Sequence, residues 1–297
     1  MMNRRSFLET ATTVTAATLL ANKLGWAAAA HKIDHLGVQL YTVRDELKAD
    51  FEGTLAKVAA IGYKEVEFAG YFDHSPKEVR AALDRHGMVS PSTHVPYDVL
   101  GEKWPGQIES AKIIGQSYIV CPWIPEELRK QPDVWQRAAE AFNRAGEASQ
   151  KAGIQFAYHN HWFEFLPTAS IEGKLPYDFL LQQCDPNLVK MELDLCWIVV
   201  GGGDPVKYFD RYPGRFPLVH VKDMKRLPKV SAAGGQNFGD SLKEVMTEVG
   251  GGVIDWKRIF AQSEKAGIKY YIVEHDKAAA PFDSIKISYG YLRQLRW

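Results

Sequence analysis

The stretch that decides the fold reads IDHLGVQLYTVRDE and runs from Ile33 to Glu46. Its first half is a short β-rich run, and a charged segment follows it without a glycine-rich turn. An open, doubly wound α/β sheet normally carries a phosphate-binding turn of that kind after its first strand. The stretch therefore favours the other architecture that begins with a strand and a helix, a closed (β/α)8 barrel.

The rest of the chain repeats this alternation of strand and helix. Amphipathic segments such as 51–62, 75–87, 134–153 and 255–267 separate short apolar runs, and several end in glycine, the usual helix stop. Such alternation predicts a parallel sheet, and eight units predict one (β/α)8 TIM barrel domain over residues 31–297. The eight candidate strands are IDHLGVQLY, KEVEFAG, MVSPSTHV, SYIVCPW, IQFAYHNH, LVKMELDL, PLVHVKD and YYIVEHD.

Residues 1–30 have the composition of an export signal. Arg4 and Arg5 precede a mildly apolar stretch, and small residues follow at Ala27–Ala30. The adjacent arginines predict a twin-arginine signal peptide and a periplasmic location; an ordinary amphipathic helix is the alternative. The apolar stretch is too short to span a bilayer, so we expect no stable membrane insertion once the signal is removed.

The overall composition excludes several classes of protein. The chain of 297 residues is 46% hydrophobic and 24% charged, which is typical of a globular protein with a large core. The formal net charge is zero, so no basic excess indicates a nucleic-acid partner. Three cysteines do not form a disulfide framework and are expected to be buried apolar residues.

Polar side chains gather at the predicted C-terminal ends of the strands, where (β/α)8 barrels carry their chemistry. Buried ionisable groups are unfavourable unless they are paired or bound to a metal. Their convergence predicts one divalent metal ion, and Mn, Co, Zn, Fe or Mg would accept such a mixture of ligands. The strand-end residues are Gln39, Tyr41, Glu67, His94, Trp123, His159, His161, Glu164, Glu192, Asp194, His220, Lys222, Asp223, Glu274, His275 and Asp276.

The chain resembles the xylose-isomerase-like TIM-barrel superfamily, the sugar phosphate isomerase/epimerase group. The resemblance covers essentially the whole chain after the signal and implies a metal held by side chains from strands five to eight. Asp194, His220 and Glu274 match three of the expected ligands. The stretches that carry the resemblance are GVQLYTVRDEL, GYKEVEFAG, AYHNHWFEF, MELDLCW, YPGRFPLVHVKDM, VGGGVIDW and YYIVEHD.

The fourth ligand is where the sequence departs from the family pattern. Sugar epimerases read LExxN where this chain reads YHNH, so a histidine stands in place of the expected glutamate. We expect Glu164 to supply the carboxylate, which leaves His159 or His161 for acid–base work. In the alternative, His159 is the ligand and Glu164 contacts the substrate.

The resemblance implies a divalent-metal-dependent sugar isomerase or epimerase that removes a proton next to a carbonyl. The candidate acid–base residues are Glu274, His159 and His161. Lys222 stabilises negative charge or forms a salt bridge with Glu192 or Asp194. Candidate substrate contacts are Gln39, Tyr41, Glu67, His94, Trp123, Trp197 and Arg226.

Other functions remain open at this point. Trp197 stands where epimerases often carry a histidine, which weakens simple ketose epimerase chemistry. A keto-glycoside lyase or hydratase (dehydratase) is the first alternative, and an exported, non-catalytic sugar-binding protein is the second. A DNA endonuclease of the same superfamily is disfavoured by the neutral charge. We expect a small carbohydrate substrate, no nucleic-acid partner and a possible homo-oligomer, because relatives are often dimers or tetramers.

The long segment from Leu227 to Gly252 is predicted to be a lid with one short helix in LKEVMTEVG. Exchanging Gly250 to Gly252 for alanine is expected to raise KM or lower kcat without unfolding the barrel.

Overall fold

The computed structural model describes residues 31–230 and 244–297, and these residues form a closed barrel of eight parallel strands. This confirms the predicted single-domain (β/α)8 fold. The predicted signal peptide, residues 1–30, lies outside the described residues. Around the barrel the strand order is β1, β10, β7, β6, β5, β4, β3, β2. The barrel strands are β1 (Leu36–Gln39), β2 (Glu65–Phe68), β3 (Val89–His94), β4 (Tyr118–Cys121), β5 (Gln155–His159), β6 (Val189–Asp194), β7 (Leu218–Val221) and β10 (Tyr270–Val273).

Helices surround the barrel, mostly where the amphipathic segments predict them. The segment 255–267 is an exception, because it forms two short helices, α10 and α11, instead of one. The helices are α1 (Arg44–Ala49), α2 (Phe51–Ile61), α3 (Pro76–Arg85), α4 (Trp104–Ile114), α5 (Glu126–Arg129), α6 (Val134–Lys151), α7 (Pro176–Gln183), α8 (Leu195–Val200), α9 (Pro205–Arg211), α10 (Trp256–Phe260), α11 (Ser263–Ala266) and α12 (Pro281–Gln294). Short 3-10 turns lie at Leu40–Val43, Tyr97–Val99, Phe163–Phe165 and Ala169–Ile171.

Successive side chains of each strand point alternately toward the surrounding helices and into the barrel. Along β5, Phe156 and Tyr158 belong to the core between barrel and helices, whereas Ala157 packs inside the barrel. The barrel interior is closed by a small apolar cluster, and polar side chains lie above it toward the C-terminal ends of the strands. The interior cluster consists of Tyr118, Val120, Ala157, Leu218 and Ile272. This arrangement forms a packed floor beneath the site.

A short antiparallel ribbon follows the seventh barrel strand. Its strands are β8 (Asp223–Met224) and β9 (Met246–Thr247). Most of the predicted lid, residues 231–243, lies outside the described residues. The short helix predicted in 242–250 does not extend over Met246–Thr247, which pair as a strand. Asp223 fixes the end of this segment, since its carboxylate accepts hydrogen bonds from Gly250 N, Gly252 N and Trp256 Nε1.

The backbone conformation and the neighbours of Gly250 require a glycine at this position. Its exchange for alanine is therefore expected to affect stability as well as kinetics. Its φ is +91°, and an added Cβ would overlap the ring of Tyr291. Gly250→Ala is expected to lower the free energy of unfolding by about 1–3 kcal/mol through backbone strain alone. The overlap of the added methyl group with the Tyr291 ring should lower it further. Urea denaturation measures this, and Gly290→Ala is the control. The added methyl of that control meets open space on α12, so it should stabilise the helix by about 0.5–1 kcal/mol. An unchanged unfolding midpoint for Gly250→Ala would contradict the steric argument.

Candidate metal centre and active site

Four buried side chains converge at the C-terminal end of the barrel. They are His159, Asp194, His220 and Glu274, and each offers a ligand atom that lies within 4.8 Å of the other three. The strand register brings them together, because Asp194 pairs with His220, and His159 lies at the end of the neighbouring strand β5. Glu274 directly follows β10.

Three of the atoms that face one another in this group have no hydrogen-bond partner among the residues that the structure describes. His159 Nε2, Asp194 Oδ2 and His220 Nδ1 are all buried and unpartnered. Nevertheless, His220 Nδ1 lies 2.8 Å from Glu274 Oε2, and His159 Nε2 lies 3.4 Å from Asp194 Oδ2. Ligands of one ion, each bound at about 2.1 Å, are separated by roughly 3 Å. The unpartnered atoms and their spacing therefore fit a divalent cation.

The remaining polar atoms of the same side chains are already engaged. His159 Nδ1 lies 3.0 Å from the carbonyl oxygen of Pro122, and His220 Nε2 lies 2.7 Å from Glu67 Oε1. Asp194 Oδ1 accepts from the backbone N–H groups of Cys196 and Trp197 at the start of α8. Such contacts orient ligand side chains and leave the facing atom free. Burial lowers the pKa of His159 to about 4, so its imidazole is neutral, as a metal ligand must be.

Lys222 lies beside the group and is 1% exposed. Its Nζ is 2.8 Å from Glu274 Oε2, 3.1 Å from Asp194 Oδ2 and 3.1 Å from Asp276 Oδ2. Burial would lower the pKa of Lys222, but these carboxylates raise it well above its usual range. Burial would likewise raise the pKa of Asp194, yet Lys222 and His159 hold it at about 2. Of the two salt-bridge partners predicted for Lys222, the structure shows Asp194 in contact with it. Glu274 and Asp276, which follow β10, also contact Lys222.

A second layer of ionisable groups lies next to the first and shares His220. It consists of Glu67, His94, Glu192 and His220. His94 Nε2 lies 2.6 Å from Glu192 Oε2 and 3.1 Å from Glu67 Oε1. Burial would lower the pKa of His94, but the two carboxylates raise it to about 9. The sequence places Glu192 among the strand-end residues but predicts no ligand or catalytic role for it, although its position two residues before Asp194 places both on one face of β6.

Glu164 is held elsewhere. Its Oε1 accepts from the Tyr158 hydroxyl at 2.6 Å, and its Oε2 accepts from the backbone N–H of His161 at 2.8 Å. Tyr158 belongs to the core between barrel and helices. The Glu164 carboxylate is therefore bonded on the outer side of strand β5, whereas His159 points to the inner side of the same strand. Neither four-residue group includes Glu164. Burial raises the pKa of Glu164 to about 7.

A cavity of about 490 Å³ opens above the group of four. Among the predicted acid–base residues, His159, His161, Lys222 and Glu274 all line it. His161 Nδ1 is buried without a hydrogen-bond partner. Burial lowers the pKa of His161 well below its usual value, so this ring is neutral. The lining also includes Tyr41, Gly70, Tyr71, Thr93, His94, Pro96, Gln107, Trp123 and Asp276.

The predicted substrate contacts divide into three sets. Tyr41 and Trp123 line the cavity and are 40% and 43% exposed, so they form its rim, and His94 lies deeper in the lining. Gln39, Glu67 and Trp197 are buried beside the ionisable groups, with Lys222 Nζ 5.3 Å from the centre of the Trp197 ring. Arg226 is exposed, and it does not belong to the described lining of the cavity.

Fold and site together define a (β/α)8 barrel with a buried group that can bind a metal ion. A family model described as a xylose isomerase-like TIM barrel matches residues 55–295, and the chain belongs to this family. This confirms the resemblance. None of the helices within 31–230 and 244–297 combines the length and the apolar character needed to cross a membrane.

Individual proteins show how far the similarity reaches. The chain is 27% identical to an inosose dehydratase of Geobacillus kaustophilus (strain HTA426) over 271 residues, covering 81% of this chain and 86% of that protein. It is also similar to the crystal structure of a sugar phosphate isomerase/epimerase from Parabacteroides distasonis ATCC 8503, with 28% identity, a TM-score of 0.71, and coverage of 91% of this chain and 96% of that one. A structure of an IOLI protein with a bound zinc atom shares the fold at 14% identity, with a TM-score of 0.62 and coverage of 86% and 95%.

Proposed function

We propose that this protein is a divalent-metal-dependent lyase that dehydrates a neutral cyclic keto-polyol of the inosose type. The observation that carries the proposal is the group of unpartnered, buried ligand atoms facing one another at the base of the cavity. The similarity to inosose dehydratases supports the substrate class. The arginine pair in residues 1–30 supports export to the periplasm as a further part of the proposal.

His159, Asp194, His220 and Glu274 would hold the metal ion. A divalent ion there supplies Lewis acidity to a carbonyl and its neighbouring hydroxyl oxygen. This assignment takes the second sequence alternative, in which His159 is the ligand. Glu164 then acts on the site by fixing the backbone of His161.

Glu274 and Lys222 are the groups that transfer protons. In the proposed reaction Glu274 removes the proton next to the carbonyl, and the C–H electron pair forms the new C=C bond. The C–O bond to the neighbouring hydroxyl then breaks, and the Lys222 ammonium gives this leaving group a proton, which releases water. Glu274 Oε2 and Lys222 Nζ are 2.8 Å apart, so the proton passes back between them and restores both groups. The neutral His161 accepts a hydrogen bond from a substrate hydroxyl.

His159 is one acid–base candidate that the site removes from an epimerase mechanism. Epimerisation needs a second group that returns a proton on the opposite face of the substrate. At the end of β5, His159 has one nitrogen on Pro122 O and the other toward the metal group, so it cannot serve as that base. A sugar isomerase or epimerase stays a second candidate, supported by the similarity to the Parabacteroides structure. Both reactions begin with the same proton abstraction.

The charges around the cavity favour a substrate without phosphate. Lys222 is the one lysine or arginine among the described lining residues, and it already contacts three carboxylates. A phosphate dianion would meet acidic groups there without a free cation to pair with. Hydroxyl groups, in contrast, can hydrogen-bond to His161 and Asp276 and lie against Trp123.

The proposal is tested with an inosose as substrate in deuterated water. Dehydration predicts a conjugated product that absorbs in the ultraviolet and has lost the mass of one water molecule. Activity should disappear with a chelator and return with added Mn²⁺ or Zn²⁺. Deuterium incorporation or inversion without loss of water would favour the epimerase. Tight binding without turnover would favour a sugar-binding protein and overturn the enzyme assignment.

A further inference from the structure

We infer that Glu67 is a positioning residue for the metal centre, which holds His220 in the one tautomer that can bind a cation. Glu67 contributes no atom to the group of four. It acts through His220 Nε2, the ring nitrogen that faces away from this group. The inference rests on the proposed function, because it assigns a role toward the same metal ion.

The His220 ring lies between the two layers with one nitrogen in each. On one side Nδ1 is 2.8 Å from Glu274 Oε2 but makes no hydrogen bond, whereas on the other side Nε2 makes one to Glu67 Oε1 at 2.7 Å. A neutral imidazole carries a single hydrogen, and the nitrogen that carries it cannot bind a metal. A carboxylate acceptor at Nε2 keeps the hydrogen there and presents the Nδ1 lone pair to the cation.

Glu67 is itself fixed by strands that supply no ligand. Gln39 on β1 donates from Nε2 to the same Glu67 Oε1 at 2.7 Å, and these two residues are register partners of β1 and β2. Glu67 and Gln39 are both 0% exposed. The Glu67 carboxylate is therefore held away from water, and its contact with His220 links β1 and β2 to the metal centre.

The second layer could alternatively be a cation site of its own. Its hydrogen bonds argue against this. His94 Nε2 already bonds to Glu192 and His220 Nε2 already bonds to Glu67, at 2.6 and 2.7 Å. The two Nε2 atoms that face this layer are thus engaged with its carboxylates, which is the pattern of a layer that supports a neighbouring metal centre rather than of a second cation site.

The test compares Glu67→Gln with Glu65→Gln. Both changes remove one inward carboxylate from β2 without changing its size. Glu65 lies two residues earlier and bonds to His35, away from either metal-ligating group. Zn²⁺ affinity, measured by competition with a chromophoric chelator, should fall about 10- to 100-fold in Glu67→Gln and stay at the wild-type value in Glu65→Gln. In the Zn²⁺-loaded protein, the ¹⁵N shifts of the His220 ring should report a single tautomer in wild type and a mixture in Glu67→Gln.

Each outcome has a separate meaning. Equal Zn²⁺ affinity of wild type and Glu67→Gln, with one tautomer in both, overturns the positioning role and leaves the metal centre intact. Two equivalents of Zn²⁺ in wild type, one of which is lost in both Glu67→Gln and His94→Gln, would make the second layer a cation site and also overturn the role. No Zn²⁺ binding in wild type would overturn the proposed function together with the inference. An unchanged circular dichroism spectrum of Glu67→Gln excludes misfolding as the cause of a weaker affinity.

Discussion

His159→Gln is expected to remove the bound metal ion and to lower kcat/KM by about a thousandfold or more. The physical reason is that His159 Nε2 is one of three buried, unpartnered atoms that face the centre. The charge stabilisation that a divalent ion supplies in a transition state amounts to several kcal/mol, and each factor of ten in rate corresponds to about 1.4 kcal/mol. Elemental analysis of the purified protein and steady-state kinetics with an inosose measure both effects.

The matched control is Glu164→Gln, the ligand first expected from the sequence. A glutamine can accept from His161 N and donate to the Tyr158 hydroxyl, so it preserves both contacts of Glu164. This variant should retain about one equivalent of metal and most of its activity. Loss of metal in Glu164→Gln but not in His159→Gln would reverse the assignment. Loss in both would show that the whole loop from β5, rather than one side chain, holds the ion.

Lys222→Met is expected to destabilise the metal-free protein by about 3–5 kcal/mol, the usual effect of removing one partner from a buried ion pair. Lys222 Nζ lies within 3.1 Å of three carboxylates, those of Asp194, Glu274 and Asp276. Without it their mutual repulsion is uncompensated in a largely buried environment. A bound divalent ion would offset part of this repulsion, so the loss of stability should be smaller in the metal-loaded protein.

Urea denaturation with and without a chelator measures this effect. Lys190→Met is the control, because Lys190 lies at the other end of β6 from Asp194, away from the three carboxylates, and donates to the carbonyl of Gly214. We expect its unfolding free energy to change by less than about 0.5 kcal/mol. The double variant Lys222→Met/Asp276→Asn should recover part of the stability, since it removes one of the unpaired charges. A loss of the same size in Lys190→Met would show that the effect is not specific to the carboxylates.

The sequence alone determined the architecture and the end of the barrel that carries the chemistry. Local periodicity fixes which segments are strands and which side chains of a strand share a face. The ends of these strands therefore placed Asp194, His220 and Glu274 at the C-terminal mouth before any contact was known, and Lys222 with them. Family resemblance added the expectation that these positions hold a metal.

Only the tertiary structure decided which atoms meet. Glu164 follows His159 by five residues, yet its carboxylate bonds to Tyr158, which points to the opposite side of the barrel wall. His159 and His220 are aimed by Pro122 and Glu67, which lie 37 and 153 residues away along the chain. Such partners depend on the register between strands and on the packing of distant segments, and no local pattern records either of them. The proposal of an imidazole rather than a carboxylate as fourth ligand therefore rests on the fold and not on the sequence pattern.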